Sequence, residues 1–291
     1  MESHKMHPLY IELLSIMKAE QKRPAPTWHK SQITPADLQM IKKESDGGAF
    51  DTLNIRNNMY NAFVDGKVQI FAHESDVGRI ITLTDEITDP TPLEIWGRLM
   101  RIYAPPMPAS ALVSTGTNKR PQVIWFASRR ARKFPSKGQP VEPEHINGGY
   151  CMACDPGTVV IYRCEDATRV LVHELLHGFC TDKPLTNTYK TEHLETETEA
   201  WAELILAAAR EIGIASPDGK PLPNALNAQL QWVALQNEKL RTHHDGPSNY
   251  GWRYTIGKEN ALRALGFFPS YTAHKQVSMR LTPPISHNEI L

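Results

Sequence analysis

A short apolar segment with two histidines places the strongest constraint on how this 291-residue chain folds. Val170–Gly178 reads VLVHELLHG, so helix-forming apolar residues surround His173, Glu174 and His177. In an α-helix, side chains four positions apart stack on one face, one turn from each other. The segment therefore predicts a helix over Asp166–Phe179 whose two imidazoles share a face.

Two imidazoles placed in this way are suited to binding one metal ion. Histidine nitrogens are good ligands for Zn²⁺, and H-E-x-x-H on a helix is a metalloprotease signature. Glu174, one position round the helix, could reach a water molecule on that metal and take its proton. A catalytic zinc site typically has three protein ligands and one open position. The sequence should therefore supply a third ligand elsewhere.

The third ligand is expected on the next helix, which the pattern predicts from Glu192 to about Ile212. Counting from Glu197, the positions on the same face are all apolar, which places Glu197 at the start of the buried stripe. A buried carboxylate needs a cation or hydrogen bonds, because burying it unpaired is costly. Glu199 faces a mixed surface and is the alternative ligand, whereas Glu195 faces polar neighbours. Carboxylates in a first turn also stabilise the helix dipole without any metal.

HELLH followed by a glutamate on a second helix resembles the gluzincin group of zincin metallopeptidases, to which thermolysin and the zinc aminopeptidases belong. Glu197–Ala200 also resembles the E-x-x-A of the glutamate helix in several of these families. The metzincin pattern does not fit, because Cys180 and Lys183 stand where it needs glycine and histidine. The resemblance implies an α+β, zincin-like fold. Its expected parts are a mixed twisted sheet, a backing helix, an active-site helix and a mostly helical C-terminal part.

In functional terms, the resemblance implies a zinc-dependent metallopeptidase that acts on a peptide or protein substrate. Glu174 would be the general base on the zinc-bound water. Gluzincins often stabilise the oxyanion with a tyrosine or histidine, and Tyr189 and Tyr254 are the candidates here. The implied zinc ligands are His173, His177 and Glu197, with Glu199 as the alternative to Glu197.

Two other interpretations stay open from the sequence. A zincin-fold binding or structural protein would keep the metal site without physiological proteolysis. The intact Glu174 argues against it, since such a protein has no need of the base. The second alternative is that HELLH is an accidental feature of a buried helix that binds no metal.

The pattern of predicted elements divides the chain into two regions. Residues 1–48 form a helical N-terminal extension, and residues 49–291 form the zincin-like domain. Within that domain, 49–183 is the α/β part and 184–291 is the helical part. Thr91–Tyr103 is the predicted backing helix, with Thr91 as its cap.

Five segments have the β-branched and apolar character of strands. Ile146–Ala153 is the candidate edge strand, because Gly148 and Gly149 would let a substrate backbone approach closely. A turn is predicted at Asp155–Gly157. The five predicted strands are Lys67–His73, Arg79–Thr84, Gln122–Ala127, Ile146–Ala153 and Thr158–Arg163.

The charge balance gives no support for nucleic-acid or membrane binding. Lys and Arg total 32, and Asp and Glu also total 32, so no overall charge favours an anionic partner. Only Ser128–Lys137 is locally basic, and we interpret it as a solvated loop in preference to a phosphate or acidic-partner site. Without a predicted secretory signal or membrane span, a cytoplasmic, intracellular setting is expected. The sequence does not specify an oligomeric state.

The four cysteines are too few for a disulfide scaffold in a chain of this size. Cys151 and Cys154 form a C-x-x-C, but on a strand they would point to opposite faces. With Cys164 and Cys180 they do not match the spacing of paired zinc knuckles. We therefore expect buried, small apolar residues, with a thiol switch near the active site as the alternative.

Overall fold

The computed structural model describes residues 6–103, 120–181, 191–243, 246, 249–268 and 277–285, and the side chains of the helix from Thr191 only from Leu194 onward. By their contacts the residues divide into two compact units. The sheet unit comprises Ala25–Arg132 and Asn147–Lys183, and the helical unit comprises Met1–Pro24, Lys133–Ile146 and Pro184–Leu291. The predicted boundary between 183 and 184 lies outside the described residues, and the division into a 1–48 extension and a 49–291 domain stays a prediction.

The regular elements among the described residues alternate between helices and strands up to the HELLH segment and are helical after it, consistent with the α+β class. The helices are α1 (Pro8–Gln21), α2 (Pro35–Glu44), α3 (Ile55–Val64), α4 (Leu93–Tyr103), α5 (Pro143–Ile146), α6 (Ala167–Gly178), α7 (Thr191–Ile212), α8 (Ala225–Leu240) and α9 (Ile256–Ala264). The strands are β1 (His29–Lys30), β2 (Gln69–Ser75), β3 (Gly78–Thr84), β4 (Gln122–Phe126), β5 (Gly149–Met152) and β6 (Asp155–Ile161). Every described helix is too short or too polar to cross a membrane.

The six strands form one mixed sheet in the order β1-β2-β3-β4-β6-β5. The central strands β3, β4 and β6 are parallel, and the remaining neighbours pair antiparallel. Strand β5 therefore lies at one edge of the sheet, which confirms the edge strand that the sequence predicts. Strand β1 and helix α3 are elements that the sequence reading did not include.

Helices cover both faces of this sheet. Successive side chains of β4 point to opposite faces, as they do in any strand. Ile124 packs in a buried cluster with Ile41 of α2 and Ile55 of α3. On the other face, Trp125 packs against Trp96 of α4, with ring centroids 5.1 Å apart. The nearly continuous apolar run of β4 is thus explained, because a strand buried on both faces needs no polar side.

Helix α4 lies within the segment Thr91–Tyr103, for which the sequence predicts a helix. Its Trp96 donates a hydrogen bond from Nε1 to Oγ1 of Thr168, in the first turn of α6, at 3.0 Å. Helix α6 also packs against β5 and β6. The HELLH helix is therefore held between a helix and the edge of the sheet.

The predicted turn at Asp155–Gly157 is wrong, because these residues open β6. The chain reverses two residues earlier, at Ala153 and Cys154, and Cys154 adopts a left-handed backbone with φ of 61°. The pairing of β5 with β6 is irregular between Cys151 and Met152, which brings Met152 opposite Asp155. With Met152 opposite Asp155, the reversal is a two-residue turn that lies before the predicted one.

In the helical unit, α7 is the central element. It packs against α1, α8 and α9, and against a short 3-10 turn at Tyr250–Tyr254. From Thr198 to Ala209 almost every residue of α7 is buried. The sequence prediction of a long helix over this segment is confirmed.

The buried position of β4 gives a direct test of the fold. We expect Ile124→Ala to lower the free energy of unfolding by about 2–5 kcal/mol, since it leaves a cavity between the sheet and the layer of α2 and α3. Ile87→Ala is the matched control, because Ile87 is 86% exposed and such surface changes stay within about 0.5 kcal/mol. Urea denaturation of both variants measures the difference. Equal stabilities would contradict the packing of α2 and α3 on this face of the sheet.

Candidate functional site

Helix α6 is buried along almost its whole length, which explains its apolar background. Leu171, Val172 and Leu175 have no exposed surface. His173 and Glu174 are also buried, at 6% and 5% exposure. Buried polar side chains need hydrogen bonds or a metal ion, because their removal from water is otherwise unfavourable. Two such residues in sequence on one buried helix therefore mark a candidate site.

The two histidines of α6 converge on a common point. Their Nε2 atoms lie 3.0 Å apart, and their rings are nearly perpendicular with centroids 4.6 Å apart. Two nitrogen ligands of a tetrahedral Zn²⁺, each about 2.0–2.1 Å from the metal, are about 3.3 Å apart. The pair therefore has close to the spacing that a shared metal ion needs. His173 and His177 are brought together as the sequence predicts.

Glu174 lies beside the edge strand. A Cβ atom built on Gly149 of β5 would lie 3.2 Å from its Oε1. Cys151, two residues further along β5, directs its thiol to the backbone oxygen of Glu174 at 3.1 Å. The carboxylate expected to act as base is thus next to the strand expected to bind substrate.

Glycine is required at position 149 by the packing of β5 on α6. A Cβ atom there would lie 2.4 Å from Cγ1 of Val170 and 2.8 Å from the backbone oxygen of Val160. Real Cβ atoms do not approach other atoms so closely, so a larger residue would push the strand away from the helix. The Gly-Gly pair in the sequence therefore serves the contact of strand and helix.

A buried arginine holds the beginning of α6. The side chain of Arg132 has no exposed surface, and its Nη1 donates to Oε2 of Glu165 at 3.2 Å and to Oδ2 of Asp166 at 3.3 Å. Asp166 is the residue before the helix and has a left-handed φ of 59°. Charge-assisted hydrogen bonds of this kind fix geometry strongly when they are buried.

The interpretation of Ser128–Lys137 as a solvated loop is therefore wrong for its central residue. Arg132 lies inside because two carboxylates at the start of α6 neutralise it. Arg129, by contrast, is exposed and forms surface ion pairs with Asp85 and Glu86. The acidic pair Glu165–Asp166 lies 33 and 34 positions after Arg132, so the sequence gives no local signal of this contact.

A disulfide bond and two hydrogen bonds hold the end of α6. Cys154, in the reversal between β5 and β6, is bonded to Cys180, two residues beyond the helix. The backbone N–H groups of Cys154 and Cys180 both donate to the carbonyl of His177, at 2.9 and 3.1 Å. The expectation of buried, apolar cysteines is wrong, since Cys154 and Cys164 are exposed and Cys151 and Cys180 half-buried. The pairing brings together residues 26 positions apart, which spacing alone does not reveal.

In the helical unit, α7 presents its three candidate carboxylates differently. Glu197 is exposed, Glu195 is half-buried, and Glu199 is buried at 2% exposure. The apolar stripe that begins at Ala200 continues backwards through Thr196, four positions earlier, and not through Glu197. The assignment of Glu197 to the buried face is therefore wrong, because residues three and four positions before Ala200 lie at opposite margins of its helix face, and only the margin with Thr196 is covered.

A buried lysine explains why Glu199 and Glu203 can lie inside. Lys258 of α9 places its Nζ 2.7 Å from Oε1 of Glu203 and 3.5 Å from Oε2 of Glu199. All three side chains are at most 3% exposed. The sequence reading missed Lys258, whose only signal was a lysine within the apolar start of a short helix. Glu199 thus has a cation partner inside its own unit.

Tyr254 lies near the outer end of the same row of carboxylates. Burial raises the pKa of its phenol well above the ordinary value, and the negative charges of Glu195 and Glu199 raise it further. The phenol therefore stays protonated and remains a hydrogen-bond donor at neutral pH. The other oxyanion candidate, Tyr189, lies outside the described residues.

Comparisons with protein-family models, with curated proteins and with solved structures found no match. We therefore infer function from the chemistry of the residues in each unit.

The Lys258 cluster allows a test of how the helical unit is held together. Lys258→Met leaves two carboxylates buried without their cation, so we expect a loss of about 3–5 kcal/mol in the free energy of unfolding. Adding Glu203→Gln should recover part of this loss, since one of the two charges is removed. Lys220→Met is the control, because Lys220 pairs with Asp218 at the surface and its loss should not be measurable. Urea denaturation of the three variants gives the comparison, and an unchanged Lys258→Met would contradict the buried ion pairs.

Proposed function

We propose that this chain is a zincin-type metallopeptidase, a hydrolase that cleaves peptide bonds with a metal-bound water and Glu174 as general base. The observation that carries the proposal is the pair of Nε2 atoms of His173 and His177, 3.0 Å apart on a buried helix. Glu174 follows directly in the sequence and lies against an edge strand. The order of backing helix, sheet edge and HELLH helix agrees with the resemblance to zincins.

Among the carboxylates of α7, we propose Glu195 as the third ligand in place of Glu197, and this choice rests on the surroundings of each carboxylate within the helical unit. Within the helical unit, Glu197 is directed to solvent and Glu199 is bound by Lys258. Glu195 is half-buried, and its charge acts on the phenol of Tyr254. It thus combines a carboxylate with a neighbouring hydrogen-bond donor, as a hydrolytic site requires.

The donor set fits Zn²⁺ in kind. Two imidazole nitrogens and one carboxylate oxygen are the ligands of several catalytic zinc sites, in which a fourth position is left for water. When bound, such an ion lowers the pKa of its water and polarises a carbonyl group. The proposal concerns zinc on these chemical grounds, and other divalent ions with similar preferences are the alternatives to be measured.

The roles of the protein residues follow from their chemistry. Glu174 takes a proton from the attacking water, whose oxygen forms a bond to the carbonyl carbon of the substrate. When the C–N bond breaks, Glu174 gives this proton to the leaving amine. Tyr254 is the candidate donor to the oxyanion of the tetrahedral intermediate. Strand β5, which is an edge strand among the described residues, is the candidate to pair with an extended peptide by backbone hydrogen bonds.

Glu174→Gln separates metal binding from catalysis. The amide cannot act as base, so we expect full metal content with hydrolysis reduced by about 10²–10⁴-fold. Elemental analysis of the purified protein and turnover of a mixed fluorogenic peptide library measure the two properties. His177→Ala is the companion variant and should lose both. A wild type that binds metal but cleaves no peptide would favour a binding protein, and a wild type without metal affinity would refute the site.

Glu195→Gln and Glu197→Gln form a matched pair on one helix that tests the third ligand. We expect Glu195→Gln to weaken zinc binding by at least about tenfold, because changes at partners beyond the ligands already cost about 10–100-fold. Glu197→Gln should bind as the wild type does. Competition with a chromophoric chelator gives both affinities. If Glu197→Gln weakens zinc binding and Glu195→Gln does not, the third ligand is Glu197.

A further inference from the structure

We propose that Cys154 and Cys180 are positioning residues for the metal ligand His177, and that the disulfide between them makes metal binding dependent on redox state. This inference rests on the proposed function in one respect, namely that His177 is a ligand. All of the contacts that support it lie within the sheet unit.

The backbone carbonyl of His177 links the ligand to both cysteines of the disulfide. The N–H groups of both half-cystines donate to the carbonyl of His177, at 2.9 Å from Cys154 and 3.1 Å from Cys180. The Cα atoms of the two cysteines are 4.7 Å apart, within the range of ordinary disulfides. The covalent bond therefore fixes two donors on either side of the ligand's own carbonyl.

The backbone conformation of the two cysteines indicates that their side chains matter. Cys154 has a φ of 61° and Cys180 a φ of 55°. Residues other than glycine, asparagine and aspartate seldom adopt this left-handed region, because Cβ crowds the backbone. Glycine would adopt the left-handed conformation of both turns more easily than cysteine does. Cysteine at both positions is explained by the bond that joins them.

The same hairpin contacts the last turns of α6 at two further points. A Cβ atom on Gly178 would lie 3.2 Å from Cα of Pro156, so the helix end lies directly on the start of β6. Cys151 of β5 directs its thiol to the carbonyl of Glu174. The hairpin of β5 and β6 thus contacts α6 from Glu174 to His177. The disulfide joins the hairpin to the chain just after the C-terminal end of this helix.

The disulfide is open to reduction, since Cys154 is exposed. A dithiol reductant attacks Sγ of Cys154 as a thiolate, the S–S bond breaks, and Cys180 leaves as a thiolate. The second thiol of the reductant then displaces Cys154, so the reductant becomes a disulfide and two protein thiols form with the transfer of two electrons. Without the bond, both left-handed turns can relax and withdraw their donors from the carbonyl of His177. We expect weaker metal binding in this reduced state.

Zinc titration of the full chain in its two redox states tests the inference. One sample is oxidised, and the other is reduced with a phosphine, which is removed under anaerobic conditions before Zn²⁺ is added. We expect the reduced protein to bind Zn²⁺ about 10–100-fold more weakly, the effect of disturbing groups that orient a ligand. Reoxidation should restore the affinity. The double variant Cys154→Ser/Cys180→Ser should resemble the reduced protein and no longer respond to the phosphine.

Cys164→Ser is the matched control, because Cys164 is an exposed cysteine outside the disulfide, and its variant should respond to reduction as the wild type does. Thiol counting should find two reactive thiols in the oxidised protein and four in the reduced protein. Circular dichroism checks that each sample is folded, and the reduced wild type serves as the test if the double variant does not fold.

Amide hydrogen exchange of the metal-free protein provides a readout that does not depend on metal. The amides of Cys154 and Cys180 should lose protection on reduction, while those of the central strands keep it. Four reactive thiols in the oxidised protein, or equal zinc affinity and equal exchange in the two states, would overturn the inference. If zinc binds in neither state but exchange still responds to reduction, the positioning of His177 is supported and the proposed metallopeptidase function fails.

Discussion

The burial of α6 is the condition on which the other features of the sheet unit depend. Burying a helix that carries two histidines and a glutamate is unfavourable unless each polar side chain exchanges its water for another partner. The surroundings meet this need at defined points along the helix. Arg132 binds the carboxylates at its start, Trp96 bonds to its first turn, and a disulfide-linked hairpin supports its end. The result is a helix whose polar residues are held in place by the structure around them.

The sequence predicts best what depends on local periodicity. The strands β2, β3 and β4 and the helices α4, α6 and α7 agree with the predicted segments to within a few residues, because their apolar patterns are long and regular. The edge position of β5 was also predicted, although its Gly149 serves the packing of the strand on α6. Strand β1 has two residues and α3 has a weakly apolar sequence, so neither has a pattern strong enough to detect.

What the sequence could not provide depends on contacts between distant residues. The burial of Glu197 was misjudged because residues three and four positions from a buried residue lie at opposite margins of its helix face, and tertiary packing decides which margin is covered. Lys258 was missed because its partners, Glu199 and Glu203, lie on another helix. The disulfide was missed because a C-x-x-C invites a search for partners within the motif, whereas Cys154 pairs with Cys180. In each case the deciding information is tertiary, and only the positions on α6 followed from spacing alone.

The division of the chain between its two units has a consequence for synthesis. The helical unit takes its residues from three separate stretches, of which Met1–Pro24 is made first and Pro184–Leu291 last. Helix α1 packs against α7, and Gln21 donates to the carbonyl of Ile212 across 191 positions of sequence. During synthesis, the apolar face of α1 therefore stays uncovered until its packing partner α7 has left the ribosome. Contacts of such long range form slowly, so α1 is open to proteases and to association with other chains until α7 covers it.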